Sequence, residues 1–468
     1  MLQENLRILI VAENASLNFG GEAALPLHYF RVLRQRGYEV WMLVHERTRQ
    51  ELKAKFPQDF ERIYFIPDTF LHRFLHKFNK PLPDRLYWFT FGLMMRLLTQ
   101  ILQYSIIKKL IREKKINVIH QPIPVSPKEP SLIFGLGVPV IIGPMNGGMN
   151  FPPAFEKKEN LLKTQAVKIA RWFSDLANIL IPGKYLATTL LVANSRTREA
   201  LPSILHSKKI VELVENGVDL SVWQQKLLNQ YGNRSVPQSW SENTLITEDS
   251  AQFNAQTEPI TKFVYLGRLV DWKALDLLLM ATKRVLEQIP IKLEIIGTGN
   301  QKSKLEKLAQ ELGLMSDPST EKIIDTDVVH FAGWLSQADC AKKLELTDAL
   351  ILPSLYECGG AVVLEAMAMS KPVIATNWGG PADYITENCG ILVDPISKES
   401  FIQGLADAMI KFAKNPEMRQ QMGEAGRQRV VNHFDWEKKV DFILRIYQQE
   451  LESHQQKELK VKGEEVFS

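Results

Sequence analysis

The sequence predicts an α/β protein made of two doubly wound halves, each a parallel sheet covered by helices. Three observations lead there. Short apolar runs rich in Val, Ile and Leu alternate with helix-length segments, which is the pattern of βαβ units. The alternation breaks once, in a polar stretch at roughly 225–260, and then restarts. Finally, 468 residues are too many for one ordinary core.

The first strand is read from Arg7 to Ala12. A Gly20-Gly21 turn leads from it into the helical segment EAALPLHYFRVLRQRG. The runs YEVWMLVHE, INVIHQP, VPVIIGP, TLLVANS and KIVELVENG complete a first half, expected over residues 1–223. Residues 224–260 carry Asn, Gln, Ser, Thr and Pro with few aliphatics and read as a linker or long surface loop. The second half, expected over 261–433, contains KFVYLGRL, KLEIIGTG, VVHFAGWL, ALILPS, KPVIAT and GILVD. A last helix, expected over 434–455, should pack back on the first half, with a charged, frayed end beyond it. Open α/β sheets bind ligands outside the carboxyl ends of their strands, so two facing halves would share a central cleft.

Composition narrows the function. A net charge of +4 is small for this length and argues against a nucleic-acid binder. Three cysteines, Cys340, Cys358 and Cys389, form no CxxC pair, so a reducing, cytoplasmic setting is expected. The start MLQENLRILIVAE has an early acid and an apolar run too short for a signal-peptide core. Residues 86–111 are greasy but broken by Arg96, whereas a membrane span needs about 20 near-continuous apolar residues. The segment from Leu71 to Ile116 combines apolar residues with many Lys and Arg. It reads either as a core helix with a basic solvent face or as a surface that rests peripherally on anionic membrane.

The chemistry concentrates in the second half. Glu357 and Glu365 flank a Cys358-Gly359-Gly360 turn between an apolar strand and a helix start. That geometry can bring two carboxylates and several backbone N–H groups to one polar ligand. Alone, the pair also fits an ordinary helix-dipole arrangement. Arg268 and Lys273 follow a strand; two fixed cations there can hold a diphosphate, or form a solvated loop pair. Gly297 and Gly299 mark a strand-to-turn passage, but Lys302 stands where a dinucleotide fingerprint needs a third glycine. Asp325-Thr326-Asp327 precedes a strand and reads as a solvated turn, so no metal site is expected.

In order, Gly267-Arg268-Leu269 with Lys273, Ile296-Gly297-Thr298-Gly299, Phe331-Ala332-Gly333, Pro353-Ser354 through Glu357, Glu365-Ala366-Met367-Ala368 and Gly379-Gly380 resemble the retaining glycosyltransferases of family 4, the glycosyl transferases group 1, which have the GT-B fold. The resemblance implies two Rossmann-like domains and transfer of a hexosyl-type sugar from a nucleoside-diphosphate donor. The acceptor would be a saccharide or lipid-linked saccharide, in cell-surface polysaccharide or glycolipid synthesis. Neither metal nor cofactor would be needed. It implies that Arg268 and Lys273 grip the diphosphate, that Glu365 binds the ribose hydroxyls, and that Glu357 and His120 contact the donor sugar. Gly20, Gly21, Gly297, Gly299, Cys358, Gly359 and Gly360 would approach the donor, and Gly147 and Gly148 the acceptor. The chain departs from the family in having Ala274 after Lys273, where Gly is usual, and Cys-Gly-Gly after Glu357. A sugar-nucleotide 2-epimerase of the same fold and a non-catalytic partner subunit remain alternatives.

Overall fold

The computed structural model describes residues 5–19, 21–77, 91–156, 173–224, 260–316 and 327–466. Residues 225–259 of the expected linker (224–260), Gly20 and the segment 78–90 lie outside them. The chain divides into two compact units. The first comprises Met1–Met149, Lys157–Gly217 and Phe434–Ser468; the second comprises Asn150–Glu156 and Val218–His433.

The first unit holds a seven-stranded sheet in the order β3-β2-β1-β4-β5-β6-β7, every pairing parallel. Its strands are β1 (Arg7–Val11), β2 (Glu39–His45), β3 (Ile63–Ile66), β4 (Val118–Gln121), β5 (Val140–Met145), β6 (Thr189–Val192) and β7 (Ile210–Glu212). β1 shows why its sequence is apolar at nearly every position. Ile8 and Ile10 join one core cluster, together with Trp436 and Tyr447 of the last helix. Leu9 and Val11 join another on the opposite face, with Ile107 and Leu110 of the helix Leu93–Lys114. A strand covered on both sides needs apolar side chains pointing both ways. The helix Leu93–Lys114 turns Met95, Thr99, Gln103 and Ile107 inward and leaves Met94, Ile101, Lys108 and Arg112 exposed. Among the described residues no helix is long and apolar enough to cross a membrane.

The helix Trp436–Val466 belongs to the first unit. Arg36 binds two of its carboxylates, Nε to Glu437 at 2.8 Å and Nη1 to Asp441 at 2.7 Å. Glu450, nearly buried, accepts from Thr189 at 2.8 Å and from Lys209 at 2.6 Å. The Lys439 ammonium is buried and donates to the carbonyls of Val214 and Glu215.

The second unit holds a six-stranded parallel sheet in the order β10-β9-β8-β11-β12-β13. These strands are β8 (Thr261–Leu266), β9 (Ile291–Ile296), β10 (Val329–Gly333), β11 (Ala349–Leu352), β12 (Val373–Thr376) and β13 (Gly390–Val393). The order reverses between β8 and β11, and in the first sheet between β1 and β4. Such reversal points open a crevice at the carboxyl ends of the strands.

Candidate functional site

In the second unit, the residues singled out in the sequence come from the loops that leave β8 and β11 at the reversal point. After β8 the chain passes Gly267 and Arg268 and makes one 3-10 turn, Asp271–Lys273, before the helix Leu275–Leu286. Ala274 takes the left-handed conformation there, φ +51°, and is buried. An L-residue pays roughly 1 kcal/mol for that conformation, so the departure from Gly leaves the turn in place. After β11 the chain runs through Pro353 and Ser354 to Glu357, and the helix Ala361–Ala368 starts at Gly360. One backbone bond, Leu355 N to Trp272 O at 2.9 Å, ties the two loops together.

Lys273 and Glu357 form an ion pair between these loops, with their side chains 12% and 17% exposed. Arg268 is exposed, its guanidinium 5.8 Å from the Trp272 ring centroid. The Tyr265 hydroxyl donates to the Arg268 carbonyl at 2.9 Å; burial pushes its pKa far above the ordinary phenol value, and the nearby Glu357 pushes it further up. Gly360 has φ +87°, and a Cβ there would lie 3.1 Å from the Glu357 side chain. The Gly380 N–H donates to the Glu357 carbonyl at 2.8 Å. A Cβ on Gly380 would collide with the Gly359 carbonyl. Glu357 is thus held through its backbone as well as its carboxylate.

Glu365 lies one turn into the helix Ala361–Ala368, partly open to solvent. Among the described residues its carboxylate has no hydrogen-bond or ion-pair partner, and burial pushes it from an ordinary 4.5 up to about 7. Cys340, in the helix Gln337–Glu345, lies close enough to feel that charge. Its thiol is pushed up to about 11, first by burial and then by Glu365. An unpartnered carboxylate in a largely dry setting is prepared to accept hydrogen bonds from a ligand's hydroxyl groups.

The Gly297 and Gly299 loop does a packing job. Gly297, at φ +142°, lies so close to Gly267 that a Cβ would overlap the Gly267 carbonyl oxygen, and its N–H donates to Gly333 O at 2.7 Å. A Cβ on Gly299 would overlap the Leu269 carbonyl. These glycines seat the β8, β9 and β10 loops on one another. Cys358 is half-buried and Gly359 buried in the turn between Glu357 and the helix.

In the first unit, His120 ends up in the core. It is fully buried in β4, with its Nε2 2.7 Å from Gly143 O and its Nδ1 2.6 Å from the Tyr447 hydroxyl. The carbonyl can only accept, so Nε2 carries the proton and Nδ1 accepts from Tyr447. Burial pushes the imidazole down to about 4, and Tyr29 packs edge-on against it. Its ring has no nitrogen left to offer a donor sugar; here it fastens the last helix to the sheet. Gly21 begins the helix Gly21–Gln35, with open space where a Cβ would be. Gly147 donates its N–H to Thr197 Oγ1 at 3.1 Å and packs on Pro127, while Gly148 is exposed at φ +73°. Asp325 and Thr326 are outside the described residues; Asp327 accepts from Ser316 N at 2.7 Å and Oγ at 2.6 Å.

One described grouping has metal-ligand chemistry, His45, Asp68 and His72. His45 Nδ1 accepts from Arg47 N at 3.3 Å and Arg47 Nε at 3.2 Å. The ring proton therefore sits on Nε2, the nitrogen facing Asp68 at 3.8 Å. A metal would need that nitrogen bare and the other one protonated.

Residues 246–429 match the family described as glycosyl transferases group 1. The match lies within the second unit and spans the loops described above. The GDP-mannose-dependent monoacylated alpha-(1-6)-phosphatidylinositol monomannoside mannosyltransferase of Corynebacterium glutamicum is 30% identical over 192 residues, which cover 39% of this chain and 46% of that protein. The chain spans about half the length of the curated relatives it matches. Among solved structures, a sucrose-phosphate synthase from Thermosynechococcus elongatus superposes with a TM-score of 0.61 at 17% identity, over 95% of this chain and 98% of that one. The Anabaena protein HepE in complex with UDP gives 0.59 at 13% identity, over 95% and 100%. These likenesses establish the fold: both units together make a GT-B chain.

The matched segment contains Arg268, Lys273, Glu357 and Glu365, and of these the structure joins Lys273 to Glu357 directly. Reading the sequence missed two features. Glu13, directly after β1 at the first sheet's reversal point, is raised by burial against the pull of Arg47 and Arg96. Arg96 in turn pairs with Glu129 at 2.5 Å. A charge placed at once after an apolar strand was the available signal. The second is the segment Asn150–Glu156, whose contacts within the second unit no local pattern announces.

Proposed function

We propose that the protein transfers a sugar from a nucleoside-diphosphate donor to a saccharide or lipid-linked saccharide, with the anomeric configuration retained and without a metal ion. The observation that carries this reading is the Lys273–Glu357 pair at the reversal point of the second unit's sheet, within the segment that matches the glycosyl transferases group 1. Arg268 and Lys273 neutralise the diphosphate as it leaves, Glu365 accepts from the ribose hydroxyls, and Glu357 orients the donor sugar. A diphosphate oxygen takes the acceptor proton in a front-face substitution. The complex of HepE with UDP, a protein of the same fold, supports a nucleotide-sugar donor. Transfer takes place at the inner face of a membrane, where the exposed Phe70, Phe74, Arg73 and Lys77 of the helix Phe70–Lys77 rest on anionic lipid.

The test is a thermal-shift screen with UDP, GDP, ADP and their glucose or mannose conjugates. It is followed by a transfer assay in excess chelator, with the product anomer read by NMR. One nucleotide should raise the melting temperature in proportion to its excess over Kd. The reading fails if none does, if chelator abolishes transfer, or if the anomer inverts. Flotation with anionic liposomes checks the membrane clause, and protein left at the bottom removes it.

A further inference from the structure

We propose that Phe151 is a positioning residue for Glu357, acting through a strap, Asn150–Glu156, that packs on the two stretches of chain holding that glutamate. The proposal rests on the function given above and adds a residue to it. These seven residues are flanked on both sides by sequence that belongs to the first unit, yet they cluster with the second. Their contacts explain why. The Phe151 ring lies 5.1 Å from the Tyr356 ring, centroid to centroid. The Trp378 indole N–H donates to the Asn150 carbonyl at 2.8 Å. At the far end, Phe155 meets the fully buried Phe401 edge-on at 5.9 Å, which anchors the strap to the core.

Both near contacts fall beside Glu357. Tyr356 immediately precedes it. Trp378 precedes Gly379-Gly380, and the Gly380 N–H is the donor that fixes the Glu357 carbonyl. The loop around Glu357 is irregular, so its position depends on side-chain and loop contacts such as these. It contains no regular structure between Leu352 and Ala361, and Gly359 and Gly360 give it backbone freedom. An aromatic pair of this kind adds a directional attraction to the area it buries. That is small against the stability of a domain, but it is enough to decide between two rotamers or two loop positions. A carboxylate that orients a sugar must stay within a fraction of an ångström, since a displacement of about 1 Å can lower a rate a hundredfold.

The experiment compares the full-length protein with Phe151→Ala, Phe151→Tyr and Trp378→Phe. The first readout needs no ligand: the labelling rate of Cys358, the residue after Glu357, by a thiol reagent, with Cys340 and Cys389 buried as internal controls. The second is the affinity for UDP and UDP-glucose, with GDP and GDP-mannose run alongside. Phe151→Ala should label Cys358 several-fold faster. It should weaken the sugar-bearing nucleotide about tenfold and leave the matching diphosphate within about twofold. Phe151→Tyr should restore both, and Trp378→Phe should shift them in the same direction by less. Unchanged Cys358 labelling overturns the proposal, and so does an equal loss for nucleotides with and without the sugar. If the wild-type protein binds none of the four nucleotides, the transfer reading falls, while the labelling arm still decides whether the strap sets the loop.

Discussion

Replacing Glu365 by Gln should stabilise the unliganded protein while weakening nucleotide binding, and the size of the effect follows from the carboxylate's surroundings. Glu365 has no described partner, and burial pushes it from 4.5 up to about 7. The folded state therefore holds the proton more tightly than the unfolded state does. Between those two values the folded chain binds more protons, so stability falls as pH rises through this window. Below about 4.5 both states are protonated and there is no penalty. Above about 7 the penalty is complete, at about 1.4 kcal/mol for each tenfold difference in proton affinity. The upper bound is about 3–4 kcal/mol, and water reaching the partly open side chain lowers it to about 1–3 kcal/mol. A neutral amide of the same shape does not carry this penalty. For a unit of this size that is roughly 3–8 °C in melting temperature.

Thermal unfolding of both proteins at pH 5 and pH 8 is the assay. The Gln variant should melt higher at pH 8, and the gap should shrink towards zero at pH 5. Titration calorimetry with the nucleoside diphosphate identified by screening should show about a tenfold or greater loss of affinity, because an amide oxygen replaces a carboxylate as acceptor for the ribose diol. A gap of the same size at both pH values would refute the reasoning, and so would a variant less stable at pH 8. Either result would mean that Glu365 has a stabilising partner in the folded state.

Two further variants probe the loops at the reversal point. Lys273→Met leaves the Glu357 carboxylate, only 17% exposed, without its cation. This should lower stability by about 1–3 kcal/mol and weaken diphosphate binding at least tenfold. Adding Glu357→Gln to it should recover the melting temperature but not transfer, and a single variant with wild-type nucleotide affinity would remove Lys273 from the site. Gly297→Ala forces a methyl group onto the Gly267 carbonyl at φ +142°. A loss of about 3 kcal/mol or more in denaturant unfolding is expected, and a neutral outcome would show that the β8 and β9 loops are free to part.

The parts of this protein that were legible in the sequence share one physical property: their signal is local. Ile8, Leu9, Ile10 and Val11 read as a strand buried on both faces because each faces one of two cores. The meeting of Lys273 and Glu357 was legible because each sits at a fixed distance from a strand end, and the parallel sheet sets those strand ends side by side. His120 was not legible in this sense. A histidine at a strand end looks the same whether its ring faces a ligand or a core. What decides is Tyr447, 327 residues away in sequence, whose hydroxyl takes the second ring nitrogen. The strap Asn150–Glu156 was hidden for the same reason, since Phe151 acquires a role only when Tyr356 is folded against it.

The ion pair at the centre of the site also explains why the loop carrying Glu357 should need outside support. Before the donor arrives, Lys273 and Glu357 neutralise each other in a setting where neither is well hydrated. Leaving either one alone there is expensive. In the proposed reaction a nucleotide sugar brings a partner for each at once: the diphosphate competes for Lys273, and the sugar hydroxyls donate to Glu357. Arg268, exposed beside Trp272, is available to the diphosphate without giving up a carboxylate. A diphosphate without its sugar draws Lys273 away but offers Glu357 nothing. Nucleotide and nucleotide sugar should therefore differ in affinity by more than the sugar's own contacts supply. A carboxylate that changes partners in this way is no longer held by its ammonium ion, and its position then depends on its backbone. The Gly380 N–H on the Glu357 carbonyl, the Leu355 N–H on the Trp272 carbonyl and the Phe151 ring against Tyr356 are restraints that do not depend on the ion pair.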